Sequence, residues 1–234
     1  MNLWKICLGI LYPQTCCFCG KVSRNPICDS CAEKVEYISE PICKKCGKPI
    51  WKEEQEYCKD CTEHQFEYEQ GRSLWLHQGL VKKSIYQFKY HNRRIYGEWY
   101  AKELFRLYGH KLKEWGVDCI IPVPLHKRKK RMRGYNQAEI VAKHLGQISG
   151  IPVDTKAVVR VRNTKAQKRL NNQERKQNLV NAFQVQKTWK MAKNVLVIDD
   201  IYTTGATINA VASVLKEKGA RKVCFLTISI GQGF

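Results

Sequence analysis

No apolar run in the 234-residue sequence is long enough to cross a bilayer: the N-terminal stretch MNLWKICLGILYPQ is broken by Gly9 and closed by Pro13, well short of the roughly 20 apolar residues that a spanning helix needs. No A-x-A-like cleavage site follows it, so neither a membrane anchor nor a secretory leader is expected, and the expected compartment is the cytoplasm. Acidic side chains are scarce, 21 Asp and Glu against 41 Lys and Arg, and the formal charge of +20 calls for a polyanionic partner or an anionic substrate. Both familiar phosphate-loop signatures are missing: no G-x-x-x-x-G-K-S/T occurs and no G-x-G-x-x-G follows a strand-like run, which excludes a P-loop and the dinucleotide-binding fingerprint. His64, His77, His91, His110, His126 and His144 are scattered, with no spacing that joins them to a metal shell. Apart from two similar cysteine units there is no internal repeat, and no low-complexity tract.

Cysteine, in contrast, is abundant and unevenly placed. Of the 12, ten lie before residue 62 and eight of those form C-x2-C pairs, a spacing that reads as metal binding and not as a disulfide framework. Cys16, Cys19, Cys28 and Cys31 make one set; Cys43, Cys46, Cys58 and Cys61 make the other. Each set offers one Zn²⁺ a tetrahedral thiolate shell with no open position, so about two structural zinc ions are expected. Gly20 and Gly47 directly follow a knuckle, where the chain must turn tightly. Spacing leaves open a cross-braced pairing, first pair with third, and a substitution of Cys17 for Cys16 as ligand; Cys7 has no assignment. Cys119 and Cys224 sit in apolar strand-like runs, where a free thiol behaves as a small core residue.

After a boundary near His64 to Glu69 the pattern changes. Residues 72–77 read as a strand, and Gly97 to Trp115 carries Tyr100, Leu104, Tyr108, Leu112 and Trp115 at spacings of four and three, an amphipathic helix. Strands are expected at 118–123, 157–161, 182–185, 195–200 and 223–229, and helices at 137–147 and 205–218. Strands bounded by helices, with continuous apolar runs near the end, predict an α/β fold with a mostly parallel sheet covered on both faces. Ligands of such sheets bind beyond the carboxyl ends of the strands.

One strand end carries unusual chemistry. Val195-Leu-Val-Ile runs into Asp199 and Asp200, then Ile-Tyr-Thr-Thr-Gly-Ala-Thr and a helix. Thr203, Thr204, Gly205, Ala206 and Thr207 bring small side chains, hydroxyls and free backbone amides to a helix N-terminus, where unpaired N–H groups and the dipole favour a phosphate. Gly205 lets the backbone approach closely or adopt positive φ. Adjacent carboxylates repel unless something binds them; they can accept hydrogen bonds from a ribose diol or hold Mg²⁺ through water. The pairing predicts a ligand with both a phosphate and a sugar.

Two basic segments precede this loop in sequence. His126 to Arg133 packs six Lys or Arg into eight residues after Pro122-Val-Pro124, at a strand's carboxyl end, where it can neutralise pyrophosphate or track nucleic-acid phosphates, or simply form a solvated face. Arg160 to Lys176 is polar and basic, which fits a loop over the site, a nucleic-acid arm or an ordinary exposed connection.

The segment VLVIDDIYTTGAT resembles the phosphoribosyl-pyrophosphate loop of type I phosphoribosyltransferases. The four C-x2-C pairs, Phe88-Lys-Tyr90, Pro122-Val-Pro124, Arg133-Gly-Tyr-Asn-Gln137, and Thr164-x-x-Gln167-x-x-Leu170 with Arg175, Asn178 and Phe183 are similar to the ComF family of competence proteins; Tyr135 stands where that pattern more often has Phe. The resemblance implies a zinc-binding module over 1–65 and a type I phosphoribosyltransferase-like domain over 66–234. It implies that Asp199 and Asp200 meet the ribose hydroxyls while Thr203 to Thr207 cradle the 5′-phosphate of phosphoribosyl pyrophosphate with Mg²⁺. Lys89, Arg133, Asn136, Gln137, Arg162, Gln167 and Arg175 would meet pyrophosphate or nucleic-acid phosphates. The implied role is DNA uptake or processing in natural transformation, with single-stranded DNA and a competence helicase or uptake machinery as partners. Two alternatives accompany it: an active salvage-type phosphoribosyltransferase, and a non-enzymatic single-stranded DNA binder stacking bases on Tyr135.

Overall fold

The computed structural model describes residues 14–52, 54–162 and 181–232. After two short helical turns, α1 (Asp29–Ala32) and α2 (Lys59–Glu63), the order is β1 (Gly71–Leu76), α3 (Gly79–Tyr90), α4 (Tyr96–Glu114), β2 (Cys119–Pro122), α5 (Lys127–Arg133), α6 (Gln137–Ser149), β3 (Val158–Arg160), β4 (Phe183–Val185), β5 (Asn194–Tyr202), α7 (Ala206–Glu217) and β6 (Lys222–Ile230). β1, β6, β5 and β2 lie side by side in that order as an all-parallel sheet. Backbone bonds between Ile120 and residues 152 and 154 extend its outer edge, and β3 and β4 form a separate antiparallel hairpin.

The expected α/β fold with a parallel sheet covered on both faces is what the chain forms. Successive side chains of a strand alternate between faces. Leu196, Ile198, Cys224 and Leu226 pack under α3, α4 and α6, while Val195, Val197, Val223 and Phe225 pack under α7 and the hairpin. Because both faces are buried, residues 195–198 of β5 and 223–226 of β6 are continuous apolar runs, and each fully buried Val, Leu, Ile or Phe contributes about 1.5–3 kcal/mol.

The cysteine-rich segment joins both layers. Cys16, Cys17, Phe18 and Cys31 belong to the first core; Cys43, Cys46, Ile50 and Cys58 belong to the second. Between them the segment covers the edge strand β1, with Ile38 N–H donating to Leu74 O at 3.0 Å and Gly71 N–H to Lys45 O at 2.7 Å, so β1 presents no open edge there. Among the described residues no helix is long and apolar enough to cross a membrane.

Three elements differ from the sequence reading. No element is assigned to α3 in the sequence reading, although Val81, Ile85 and Phe88 form its buried stripe. The basic run is a helix, started by His126, whose ring nitrogen accepts from Arg128 N–H, and ended by Gly134 at φ 78°. β5 continues through Tyr202 instead of ending at Asp200, because its ladder to β6 persists as far as Tyr202 opposite Ile230.

Candidate functional site

The acidic pair lies near the carboxyl end of β5, where the pleat turns the two side chains to different sides of the strand but leaves their carboxylates close enough to repel each other. Asp200 follows Leu196 and Ile198 to the side of α3, where Lys89 Nζ bonds its Oδ1 at 2.8 Å with both side chains largely buried. Asp199 lies on the hairpin side, where the charge of Arg160 on β3 acts on it. Burial, with repulsion from Asp200, pushes the Asp199 carboxyl up to about 7, against the pull of the Asp200 N–H, Lys89 and Arg160. That N–H donates to Asp199 Oδ1 at 2.8 Å.

Thr203 to Gly205 then turn the chain into α7. Gly205 sits at φ 78° as its N-cap and supplies no side-chain cap, so first-turn N–H groups face the loop without that competitor. A methyl group on Gly205 would lie 2.6 Å from Tyr202 Oη and 3.1 Å from Tyr68 Oη, so both the backbone angle and the space demand glycine. The Thr204 hydroxyl is buried and has no hydrogen-bond partner among the described residues; a buried hydroxyl of this kind is costly unless a ligand or water completes it.

Cations from three elements gather beside the acidic pair. Lys129 and Arg133, four residues apart on α5, turn inward, whereas Lys127, Arg128 and Arg131 are exposed and Lys130 pairs with Glu139 at 3.0 Å. Burial, and then the charges of Arg160, Arg133 and Lys89, hold the Lys129 ammonium below its ordinary value. Burial likewise lowers the Arg160 guanidinium, while Asp199 opposes that shift. Arg133 lies over the Tyr90 ring at 4.9 Å and donates to Tyr90 Oη at 3.1 Å and to Gln137 Oε1 at 3.0 Å. Four neighbouring cations against two carboxylates, one with a raised pKa, make a local excess of positive charge suited to an anion.

The remaining expected residues are placed differently. Gln137 is buried and backs Arg133. Asn136 is occupied by the fold: its Oδ1 accepts from Ala138 N–H and its Nδ2 donates to Val123 O. Arg162 is exposed beyond the end of β3. Gln167 and Arg175 lie outside the described residues. Tyr135 is not a stacking platform, because it is buried, its hydroxyl bonds Phe88 O, and Arg94 covers its ring at 4.8 Å. Lys129 and Arg160 fall within the two basic segments of the sequence but not among its expected site residues. The four-residue spacing of Lys129 and Arg133 was the available signal, but only once the run is known to be helical.

The cysteines assemble sequentially. The sulfurs of Cys16, Cys19, Cys28 and Cys31 lie within 4.8 Å of one another, as do those of Cys43, Cys46, Cys58 and Cys61, which is the donor set and spacing of a four-thiolate zinc site. The knuckles repeat, with bridges Thr15–Val22 and Ile42–Pro49 and left-handed Gly20 and Gly47. Phe18 and Cys28 N–H groups point at Cys16 Sγ at 3.4 and 3.5 Å, whereas burial, then Cys16, pushes the Cys17 thiol up to about 12. Cys16 is therefore the ligand and Cys17 a core thiol.

Two family models match the chain, a double zinc ribbon domain over residues 7–62 and a phosphoribosyl transferase domain over residues 131–229. Competence protein F of Haemophilus influenzae is 37% identical over 108 residues, covering 45% of this chain and 47% of that protein. DNA utilization protein YhgH of Escherichia coli is 35% identical over 106 residues, 45% of this chain and 46% of that protein. Competence protein ComFC of Bacillus subtilis is 27% identical over 154 residues, 64% of this chain and 59% of that protein. The first two matches thus span about half the length of these curated relatives. The crystal structure of a purine phosphoribosyltransferase from Pyrococcus horikoshii overlays with a TM-score of 0.36 at 19% identity, covering 56% of this chain and 73% of that one, too loose an overlay to carry a conclusion.

Proposed function

We propose that this chain, a homologue of competence protein F, ComFC and DNA utilization protein YhgH that joins a double zinc ribbon to a phosphoribosyltransferase domain, binds phosphoribosyl pyrophosphate in support of DNA utilization. The observation that carries the reading is the buried Thr204 hydroxyl, without a hydrogen-bond partner among the described residues, in the turn that leads from Asp199 and Asp200 of β5 into α7. In this account the 5′-phosphate occupies the turn of Thr203 to Thr207, where backbone amides and the helix dipole stabilise it. The ribose diol meets the two carboxylates, and the pyrophosphate meets Lys89, Lys129, Arg133 and Arg160, whose mutual repulsion it relieves.

Asp199 and Asp200 are also the groups that would hold Mg²⁺ through water, the ion supplying charge neutralisation to the pyrophosphate. Lys89 bonds Asp200 in the present geometry, so binding would redirect the ammonium toward the ligand. A DNA partner belongs to this reading through the DNA utilization named for the relatives and the net charge of +20.

Calorimetric titration of phosphoribosyl pyrophosphate with Mg²⁺ tests it. Wild type is expected to bind, and Asp199→Asn with Asp200→Asn to lose at least tenfold in affinity. A folded, zinc-replete wild type that shows no binding sinks the assignment.

A further inference from the structure

α3 carries an aromatic surface that the core does not use. Its buried stripe is Val81, Ser84, Ile85 and Phe88. The opposite side holds Tyr86 and Tyr90, each about half exposed at 49% and 48%, with ring centres 4.9 Å apart. Large apolar rings on the solvent side of an otherwise polar helix face call for a partner when they cluster. Exposed Lys82 and Lys83 lie one turn before Tyr86 on the same side. His77, Lys82, Tyr86, Tyr90 and Ile201 line a groove of about 360 Å³, which reaches β5 beside Asp200. Tyr90 is also bound to Arg133 of the cation cluster, so the ledge and the loop are continuous.

We infer that Tyr86, braced by Tyr90, forms a stacking ledge for a base of single-stranded nucleic acid, with Lys82 and Lys83 receiving the phosphates that flank it. The half-exposed Tyr86 ring offers a π-face that any base can use, with the Tyr90 ring, held under Arg133, packed beside it, and base–aromatic stacking is sequence-tolerant. The two lysines select a strand over a free base, since a free base brings no phosphate to them. Tyr135, the ring that the sequence offers for this task, is buried and covered, and the exposed aromatic pair stands one helix away. The inference rests on the reading of the neighbouring loop only in that it sets the stacked base beside the ribose site.

Fluorescence anisotropy with a labelled oligothymidylate, run across salt concentrations on the full chain, tests it. Tyr86→Ala should weaken binding about tenfold and Tyr86→Phe should keep it, because stacking needs the ring and not the hydroxyl. Lys82→Gln with Lys83→Gln should reduce the salt dependence by about two phosphates. Tyr86→Ala with wild-type affinity, or equal loss in the Ala and Phe variants, overturns the ledge. Circular dichroism and zinc content verify folding, and titration of phosphoribosyl pyrophosphate into the same variants separates the two readings. A wild type that takes the sugar phosphate but no oligonucleotide overturns the ledge alone, whereas one that takes oligonucleotide at Tyr86 but no sugar phosphate overturns the loop assignment alone.

Discussion

Replacing Gly205 by alanine is expected to damage the loop by two separable effects. The first is conformational: at φ 78° a non-glycine residue is disfavoured by about 1–2 kcal/mol. The second is steric. The new methyl would sit 2.6 Å from Tyr202 Oη, well inside contact distance, and Tyr202 cannot easily yield. Its ring stacks on Phe225 at 4.9 Å and its hydroxyl bonds that of Tyr68 at 2.6 Å, both rings being buried. Separating that hydroxyl pair forfeits a hydrogen bond and leaves a buried polar group unpaired, about 2 kcal/mol. Gly150 supplies the control, for it has φ 74° at the end of α6 with nothing within 4 Å of an added methyl. Gly150→Ala should therefore show only the conformational loss. Gly205→Ala should exceed it by about 2 kcal/mol, read in zinc-saturated protein as a further fall in Tm of about 4–8 °C. It should also weaken phosphoribosyl pyrophosphate more than tenfold, as the amides at the start of α7 are displaced. Equal Tm losses in the two variants would refute the steric argument, and an unchanged titration in Gly205→Ala would refute the role of the turn.

Asp199, with its carboxyl pushed up to about 7, makes binding and stability run in opposite directions with pH. Its protonated form stabilises the fold below the ordinary carboxylate range, and that contribution fades as pH rises through 7. The Tm of wild type minus that of Asp199→Asn should thus fall between pH 5 and pH 8. Ligand affinity that depends on the ionised carboxylate should instead rise about tenfold from pH 6 to pH 8 in wild type beyond the rise seen in Asp199→Asn. On α5, Lys129→Ala and Arg133→Ala should each weaken the sugar phosphate about tenfold while Lys127→Ala and Arg128→Ala leave it unchanged, measured by calorimetry; similar losses at all four would mean that the run acts only as diffuse charge. Zinc analysis should give two ions per chain, one after Cys16→Ser and two after Cys17→Ser, with chelation lowering the Tm because both cysteine clusters are built into the cores.

What was legible in the sequence was what depends on near neighbours. The strand Val195 to Ile198, the helix after Gly205 and the amphipathic Tyr100-Leu104-Leu112 stripe follow from periodicity and turn chemistry. So does the glycine with positive φ. α3 was harder to read because Tyr86 and Tyr90, exposed on the outer side, blur the Val81-Ile85-Phe88 stripe. α5 has no apolar period at all, and only His126 and Gly134 mark its ends. The sequence could not reveal which cations of a basic run face inward, nor that Arg160, on a different sheet, acts on Asp199. Both depend on contacts between distant segments. Tyr135 and Asn136 invited a ligand role because aromatic rings and amides recognise ligands, but the packing of α3 and the cap of α6 use them first. C-x2-C spacing left the zinc pairing open, and the clustering of the sulfurs resolved it as sequential.

The most direct test of the account is a crystal structure of the chain with phosphoribosyl pyrophosphate and Mg²⁺. The account predicts the 5′-phosphate within hydrogen-bond distance of Thr204 Oγ1 and the backbone amides of residues 203–207, with the ribose hydroxyls at Asp199 and Asp200. A ligand seated on the outer face of α5, or a phosphate that leaves the Thr204 hydroxyl untouched, would contradict it.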